Sequence, residues 1–337
     1  MGITIREKTV RGIKTKEVDY ESSVQRITIT SLGASIKRYE TIDKDNHFAS
    51  IIMHYQDDAY YLDNPKFLGA TIGPYAGRIY PAELTLNEKP YPLEKNFLDH
   101  ANLHSGSSNI ALKNFAVTQL NDYQVEFTYT SSENGMFPGP ITYTFIYTFK
   151  EDKLRMDYYT RSKEDAVISL TNHSYFNLSG DLATSILEHT LTIPSQQVVE
   201  LDKYYIPART ISVDNTPFDF RNPKPLKDGI NPLKDSPTKG IDHPFYIDNN
   251  KPIILHDPLS KRTLKVSTSY PALVVYTNNL PTNILLNNGQ TDKDHYAVCL
   301  EAQHIPNDIY FETDPKSVVK ADTMVHNYIE YQIGIET

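Results

Sequence analysis

Three side chains able to move protons occupy informative settings along this chain. His173 lies in Ile168–Gly180 (ISLTNHSYFNLSG), where a β-branched apolar run leads into Thr171, Asn172, His173, Ser174, Tyr175 and Asn177. This reads as a strand carrying an imidazole, an amide and a phenol to the rim of a site for a polyhydroxylated ligand. Glu301 follows the apolar strand Tyr296–Leu300 (YAVCL). A carboxylate at the end of a buried strand is partly desolvated, which raises its pKa and makes it a better base. His104 sits in the polar turn Asn102-Leu103-His104-Ser105-Gly106, and two charged residues, Arg78 and Asp242, stand in Gly73–Ile79 and Gly240–Phe245. Each has a plainer alternative: a surface turn for His104, a core histidine for His173 and a solvated strand end for Glu301. Asp242 reads equally well as a turn residue, and Arg78 as a surface ion-pair partner.

Other chemistries lack their signatures. There is no helical H-E-x-x-H and no pair of cysteines, so no metal site is expected. Neither a G-x-x-x-x-G-K-[ST] loop nor a G-x-S-x-G elbow occurs, and nothing calls for a cofactor. The net charge of −9 argues against nucleic acid or an anionic membrane surface and leaves small neutral ligands open. One cysteine, Cys299, makes no internal disulfide, and the N-terminal MGITIREKTVRG is charged where a signal peptide needs an apolar run. The expectation is a soluble cytoplasmic protein, monomer or homodimer, with a small-molecule partner.

The elements that must position these residues are strands. In Ile141–Phe149 (ITYTFIYTF), Ile141, Tyr143, Phe145, Tyr147 and Phe149 share one face, with three threonines and Ile146 on the other. VQRITIT, VEFTYT, LRMDYYT, HTLTIP, LKVSTSY, ALVVYT and YIEYQIGI are similarly short, β-branched and aromatic. No stretch gives a long amphipathic helix, and 21 prolines and 24 tyrosines favour strands and loops. Many short strands without intervening helices predict an all-β sandwich or barrel. Asp202–Asn250 is irregular and reads as a set of long loops within one domain, 1–337, because both flanks continue the strand pattern.

Several separated segments, in order, resemble the aldose 1-epimerases (galactose mutarotases). TNHSYFNLSG is similar to that family's NHSYFNL signature, GATIGPYAGRI to its G-x-x-x-G-x-x-A-x-R-I segment, and NLHSG to its N-x-L-H-G-G turn. MFPG, GIDHPF and VCLEAQHIPNDI match further stretches in the same order, so that the resemblance runs from about Gly69 to the C-terminus. It implies a large antiparallel β-sandwich (the galactose mutarotase-like supersandwich), a free hexose such as galactose or glucose as substrate, and no cofactor. It also implies Glu301 as general base, His173 as general acid and His104 as a second imidazole. Arg78 and Asp242 would hold hydroxyls, and Tyr175 would shape the site. Two departures remove polar groups: Gly77 stands where the family usually has Asn, and Val274 where it commonly has Gln. A binding-only protein on the same fold is the alternative, and a glycoside hydrolase with Glu301 and Asp242 as paired carboxylates is a third reading.

Overall fold

Period-two alternation decides which face of each strand enters the core, and that choice also builds the site. In the computed structural model, which describes residues 2–132 and 135–336, the strands form three main antiparallel sheets. A nine-stranded sheet runs in the order Ala116–Asn121, Gln124–Thr130, Ile141–Phe149, Lys153–Ser162, Met324–Ile335, Arg262–Thr268, Ile253–His256, Thr190–Thr192 and Lys224–Pro225. A six-stranded sheet runs Tyr175–Phe176, Val298–Gln303, Ala272–Tyr276, Asp242–Ile247, Ser195–Leu201 and Pro207–Ser212. The first 50 residues supply a five-stranded sheet.

The inward rows of all three sheets meet in one apolar core. Tyr143, Phe145, Tyr147 and Phe149 from the large sheet pack with Val298, Leu300, Leu273, Val275 and Phe245 from the second, and with Val18, Tyr20 and Ile27 from the third. Phe176 and Tyr331 meet edge to face across the two larger sheets, with ring centroids 5.2 Å apart. Burial of each large apolar side chain contributes about 1.5–3 kcal/mol. Several buried tyrosines keep their hydroxyls paired, as where Tyr147 donates to the Ala34 carbonyl (2.8 Å) and Tyr331 to Asn172 Oδ1 (3.2 Å). The all-β antiparallel sandwich expected from the sequence is the fold observed.

Three local expectations are corrected. ISLTNHSYFNLSG is not one strand: Thr171–Asn172 pairs with Thr71–Ile72, Tyr175–Phe176 pairs with Val298–Cys299, and His173 lies where the chain changes partner. Glu301 is inside the strand Val298–Gln303, not at its end. The Asp202–Asn250 region contains the edge strand Pro207–Ser212 and the strand Asp242–Ile247, so Asp242 opens a strand rather than forming a turn.

Candidate active site

On the strand Val298–Gln303, Val298, Leu300 and Ala302 face the main core, whereas Glu301 and Gln303 face a cavity on the other side of the sheet. Neighbouring strands add to the same face. Val274 lies opposite Glu301 in the ladder, Tyr276 opposite Cys299, and Asp242 opposite Tyr276. The cavity has a volume of about 220 Å³, and its walls are completed by Arg78 of the short strand Arg78–Ile79 and by residues between the strands of the main sheets, including Lys66, Phe67, Gly77, His104 and His173. All six residues singled out from the sequence, Arg78, His104, His173, Tyr175, Asp242 and Glu301, line it.

His173 is held by its backbone. Its N–H donates to the Ala70 carbonyl (2.8 Å), and its carbonyl accepts from Gly69 N–H (3.0 Å). Gly69 has a φ of +66°, and a Cβ there would lie 2.0 Å from the Ile36 carbonyl oxygen, so only glycine lets this loop close on the His173 segment. The Asn172 side chain locks the approach by donating to the Gly69 carbonyl and accepting from Ser174 and Tyr331. The imidazole itself lies among Phe67, His104 and Tyr175, at centroid distances of 6.0, 5.4 and 5.0 Å. Its Nδ1 is 3.5 Å from Cys299 Sγ, and its Nε2 is 3.5 Å from Glu301 Oε1.

His104 is anchored by a reciprocal pair. Its N–H donates to the Gly77 carbonyl (2.8 Å), and Gly77 N–H donates to its Nδ1 (3.1 Å). The second bond leaves Nδ1 as the acceptor, so the neutral ring carries its proton on Nε2. His104 also holds a positive φ of 50°, as do several non-glycine turn residues of this chain. Arg78 donates to Asp242 Oδ2 at 2.9 Å, and its guanidinium lies over the rings of Phe97 (4.6 Å) and Tyr205 (5.2 Å). Stacking and charge pairing together fix its fork.

Burial sets the protonation states. Desolvation, reinforced by the charge of Asp242 and opposed by Arg78, pushes Glu301 up to about 8. Desolvation drives His173 down to about 3, with its own backbone carbonyl opposing and the Lys66 ammonium adding to the shift. His104 is held well below the usual histidine range by burial first, and then by His173 and Arg78. Burial raises Asp242, while Arg78 pulls it back. At neutral pH the pair therefore rests as a protonated Glu301 beside a neutral His173, with one titratable proton between them.

His104, His173 and Glu301 place donor atoms within 4.8 Å of one another, a set that two imidazoles and a carboxylate could offer a transition metal. The chemistry of His104 opposes that use, because its Nε2 bears the proton and enters the site as a hydrogen-bond donor. The set suits proton handling.

The lining residues not picked out from the sequence as site residues include Lys66, Phe67 and Gln303. Lys66 is buried, forms an ion pair with Asp292, and donates to Asn278 Oδ1 (2.8 Å). Phe67 packs edge-on to the His104 ring at 5.0 Å. Gln303 is fully buried with neither amide atom paired. For Gln303 the signal was present, since it lies two residues beyond Glu301 and so shares its face. Lys66 and Phe67 give no local signal.

The two departures also face the cavity. At Gly77 (φ +82°) a Cβ would lie 2.8 Å from both Cβ and Cγ of Pro306. Gly77→Asn is therefore expected to lose about 1–3 kcal/mol of stability through overpacking, measured by urea denaturation, without gaining affinity for sugar.

With that geometry established, relationships to known proteins are informative. The profile of the family described as aldose 1-epimerase matches residues 21–332. Galactose mutarotase of Bos taurus is 30% identical over 294 residues, covering 85% of this chain and 84% of that protein. Aldose 1-epimerase of Haemophilus influenzae is 32% identical over 253 residues, covering 73% and 74%. Among solved structures, the GalM/aldose epimerase homologue from C. elegans superposes with a TM-score of 0.87 at 21% identity, covering 96% of this chain and 100% of that one. Galactose 1-epimerase from Lactobacillus acidophilus does so with a TM-score of 0.85 at 21% identity, covering 99% of each. A sandwich of this topology, sequence similarity along nearly the whole chain and a buried carboxyl–imidazole contact in its cavity have one common explanation: the chain belongs to the aldose 1-epimerase family.

Proposed function

We propose that this protein interconverts the α and β anomers of a free hexose such as galactose or glucose. The observation that carries the proposal is the buried Glu301–His173 pair, 3.5 Å apart and holding one proton, in a cavity lined by hydroxyl-binding groups. Anomer exchange needs a proton removed from O1 while the ring oxygen O5 receives one, so that the C1–O5 bond breaks. The shared proton rests on Glu301, and its passage across the 3.5 Å contact to His173 Nε2 frees the Glu301 carboxylate to take the O1 proton. Its raised affinity makes it a stronger base than an ordinary carboxylate. His173 protonates O5, and the open aldehyde forms. Rotation about C1–C2 presents the other face, and the same two groups reverse their roles as the ring closes. The proton count of the pair is unchanged, and no water is consumed.

The other residues orient the sugar. Arg78 and Asp242 offer donors and an acceptor fixed by their mutual bond, Tyr175 backs the His173 ring, and His104 Nε2–H stabilises charge beside the reacting oxygens. Cys299, a buried free thiol beside His173, suits a reducing compartment, and we place the enzyme in the cytoplasm.

The test is polarimetry of freshly dissolved α-D-galactose and α-D-glucose: accelerated decay of rotation is the expected result, and an unchanged decay with both sugars and a wider hexose panel would refute the reading. The pH profile tests the proton inventory. Since the pair loses its only proton as pH rises through about 8, kcat/KM should be level from pH 6 to 7 and fall on the alkaline side with that midpoint. A profile flat to pH 9.5 would remove Glu301 from the titrating pair.

A further inference from the structure

Gln303 carries an unanswered hydrogen-bonding demand. It is 0% exposed, and neither Oε1 nor Nε2 has a partner. Folded proteins rarely leave both ends of a carboxamide unpaired, because each unmade bond is as costly as a lost hydrogen bond. Several other polar groups on the cavity wall are engaged: Lys66 with Asp292 and Asn278, Thr282 with Asp292, Tyr276 with Leu280 N–H, and Asp242 with Arg78. Among the described residues lining the cavity, Gln303 is the one carboxamide.

Its surroundings leave those bonds unmade. A Cβ at residue 77 would come within 3.3 Å of Gln303 Nε2, so an asparagine there would crowd the amide and compete for its bonds, whereas Gly77 leaves it clear. Val274, beside it across the ladder from Glu301, brings no polar atom to the cavity. Arg78 Nε, next along the chain from Gly77, is also buried and unpaired. The two positions lacking polar side chains thus flank the one amide that needs a partner.

We propose, resting on the mutarotase reading, that Gln303 is a substrate-specificity residue that binds the C3–C4 hydroxyl pair of the sugar in place of side chains at 77 and 274. A carboxamide presents one acceptor and one donor in a plane, so one hydroxyl of a vicinal diol donates to Oε1 while its neighbour accepts from Nε2. Being uncharged, it selects a neutral polyol over a carboxylate or phosphate. It lies two residues from Glu301 on the same face, about 6.7 Å along the strand, comparable to the O1-to-O4 span of a hexopyranose. That offset directs it to the far hydroxyls rather than to O1.

The test uses Gln303→Leu, which keeps volume and removes both polar atoms, with the parent hexose and its 2-, 3-, 4- and 6-deoxy analogues. For the parent sugar, kcat/KM should fall about tenfold or more, chiefly through KM. The loss should shrink to within about twofold for the 3-deoxy or 4-deoxy sugar and persist for the 2-deoxy and 6-deoxy sugars. Thermal stability should be unchanged or higher, because an unpaired buried amide is gone. An equal loss on every sugar, no loss on any, or a lowered melting temperature would each overturn the proposal. If the wild type accelerates no sugar, mutarotation falls separately, and calorimetric Kd values over the same panel decide the role of Gln303.

Discussion

Replacing Glu301 with glutamine is expected to lower kcat about 10²–10⁴-fold and, at the same time, to make the protein harder to unfold at neutral and alkaline pH. The first effect follows from removing the base while keeping its shape. The second follows from linkage. In the folded chain Glu301 titrates near 8 instead of its ordinary 4.5, so the folded state binds the proton more tightly than the unfolded one. That contribution is fully present below pH 4.5 and is lost progressively as pH rises to 8. The lost stability accrues at about 1.4 kcal/mol per pH unit, reaching about 3 kcal/mol at pH 7. Glutamine has no proton to lose, so the variant should match the wild type near pH 4.5 and exceed it increasingly up to pH 8. Urea denaturation at pH 4.5, 6, 7 and 8 measures this directly. A variant no more stable than the wild type at pH 8 would mean that Glu301 does not meet the burial described, and near-normal kcat would take it out of the reaction.

Asp292→Ala is expected to cost about 3–5 kcal/mol, the largest loss of stability we anticipate from a residue outside the reacting pair. Asp292 is the counter-ion of Lys66, and both side chains are almost wholly buried. Its other oxygen accepts from Thr282 N–H (2.9 Å) and Thr282 Oγ1 (3.0 Å), while Lys66 also reaches the Leu280 carbonyl at 3.4 Å. One ion pair therefore ties the 280–282 wall of the cavity to the loop carrying Phe67. Removing Asp292 strands the Lys66 ammonium and frees that wall, so KM should rise as stability falls. Adding Lys66→Met in the same chain should recover much of the stability, because the penalty belongs to the unpaired charge. It should not recover KM, since the wall remains untied. Failure of the double variant to regain stability would show that packing rather than charge dominates there.

Much of this molecule was legible in sequence because its strands alternate cleanly. Ile141–Phe149 places its five apolar residues inward as the pattern predicts, and the residues proposed to carry chemistry converge on one cavity. What escaped depends on partner choice rather than on local pattern. The break at His173 arises because Thr171–Asn172 and Tyr175–Phe176 pair with strands far apart in sequence, which no periodicity within the segment encodes. Glu301 seemed to end its strand because a carboxylate interrupts an apolar run. The strand continues through Gln303 because this face borders a cavity instead of core. Pro207–Ser212 was hidden for a different reason: as an edge strand it pairs on one side, and its mostly exposed side chains lack an apolar row. Lys66 gave no signal because its partners are more than 200 residues away.

The alternation along Val298–Gln303 has a consequence for how this enzyme can fail. Core side chains and cavity side chains interleave on a single six-residue strand, with Leu300 and Ala302 turned one way and Glu301 and Gln303 the other. A slip of one residue would drive a carboxylate and an amide into the apolar interior and leave two aliphatic groups facing the sugar. The interior would reject that pairing as firmly as the reaction would. A mispaired chain of this kind thus has no well-folded, inert form in which to persist: frame errors in this strand become folding failures, and the cell meets them as degraded protein rather than as a sugar-binding competitor.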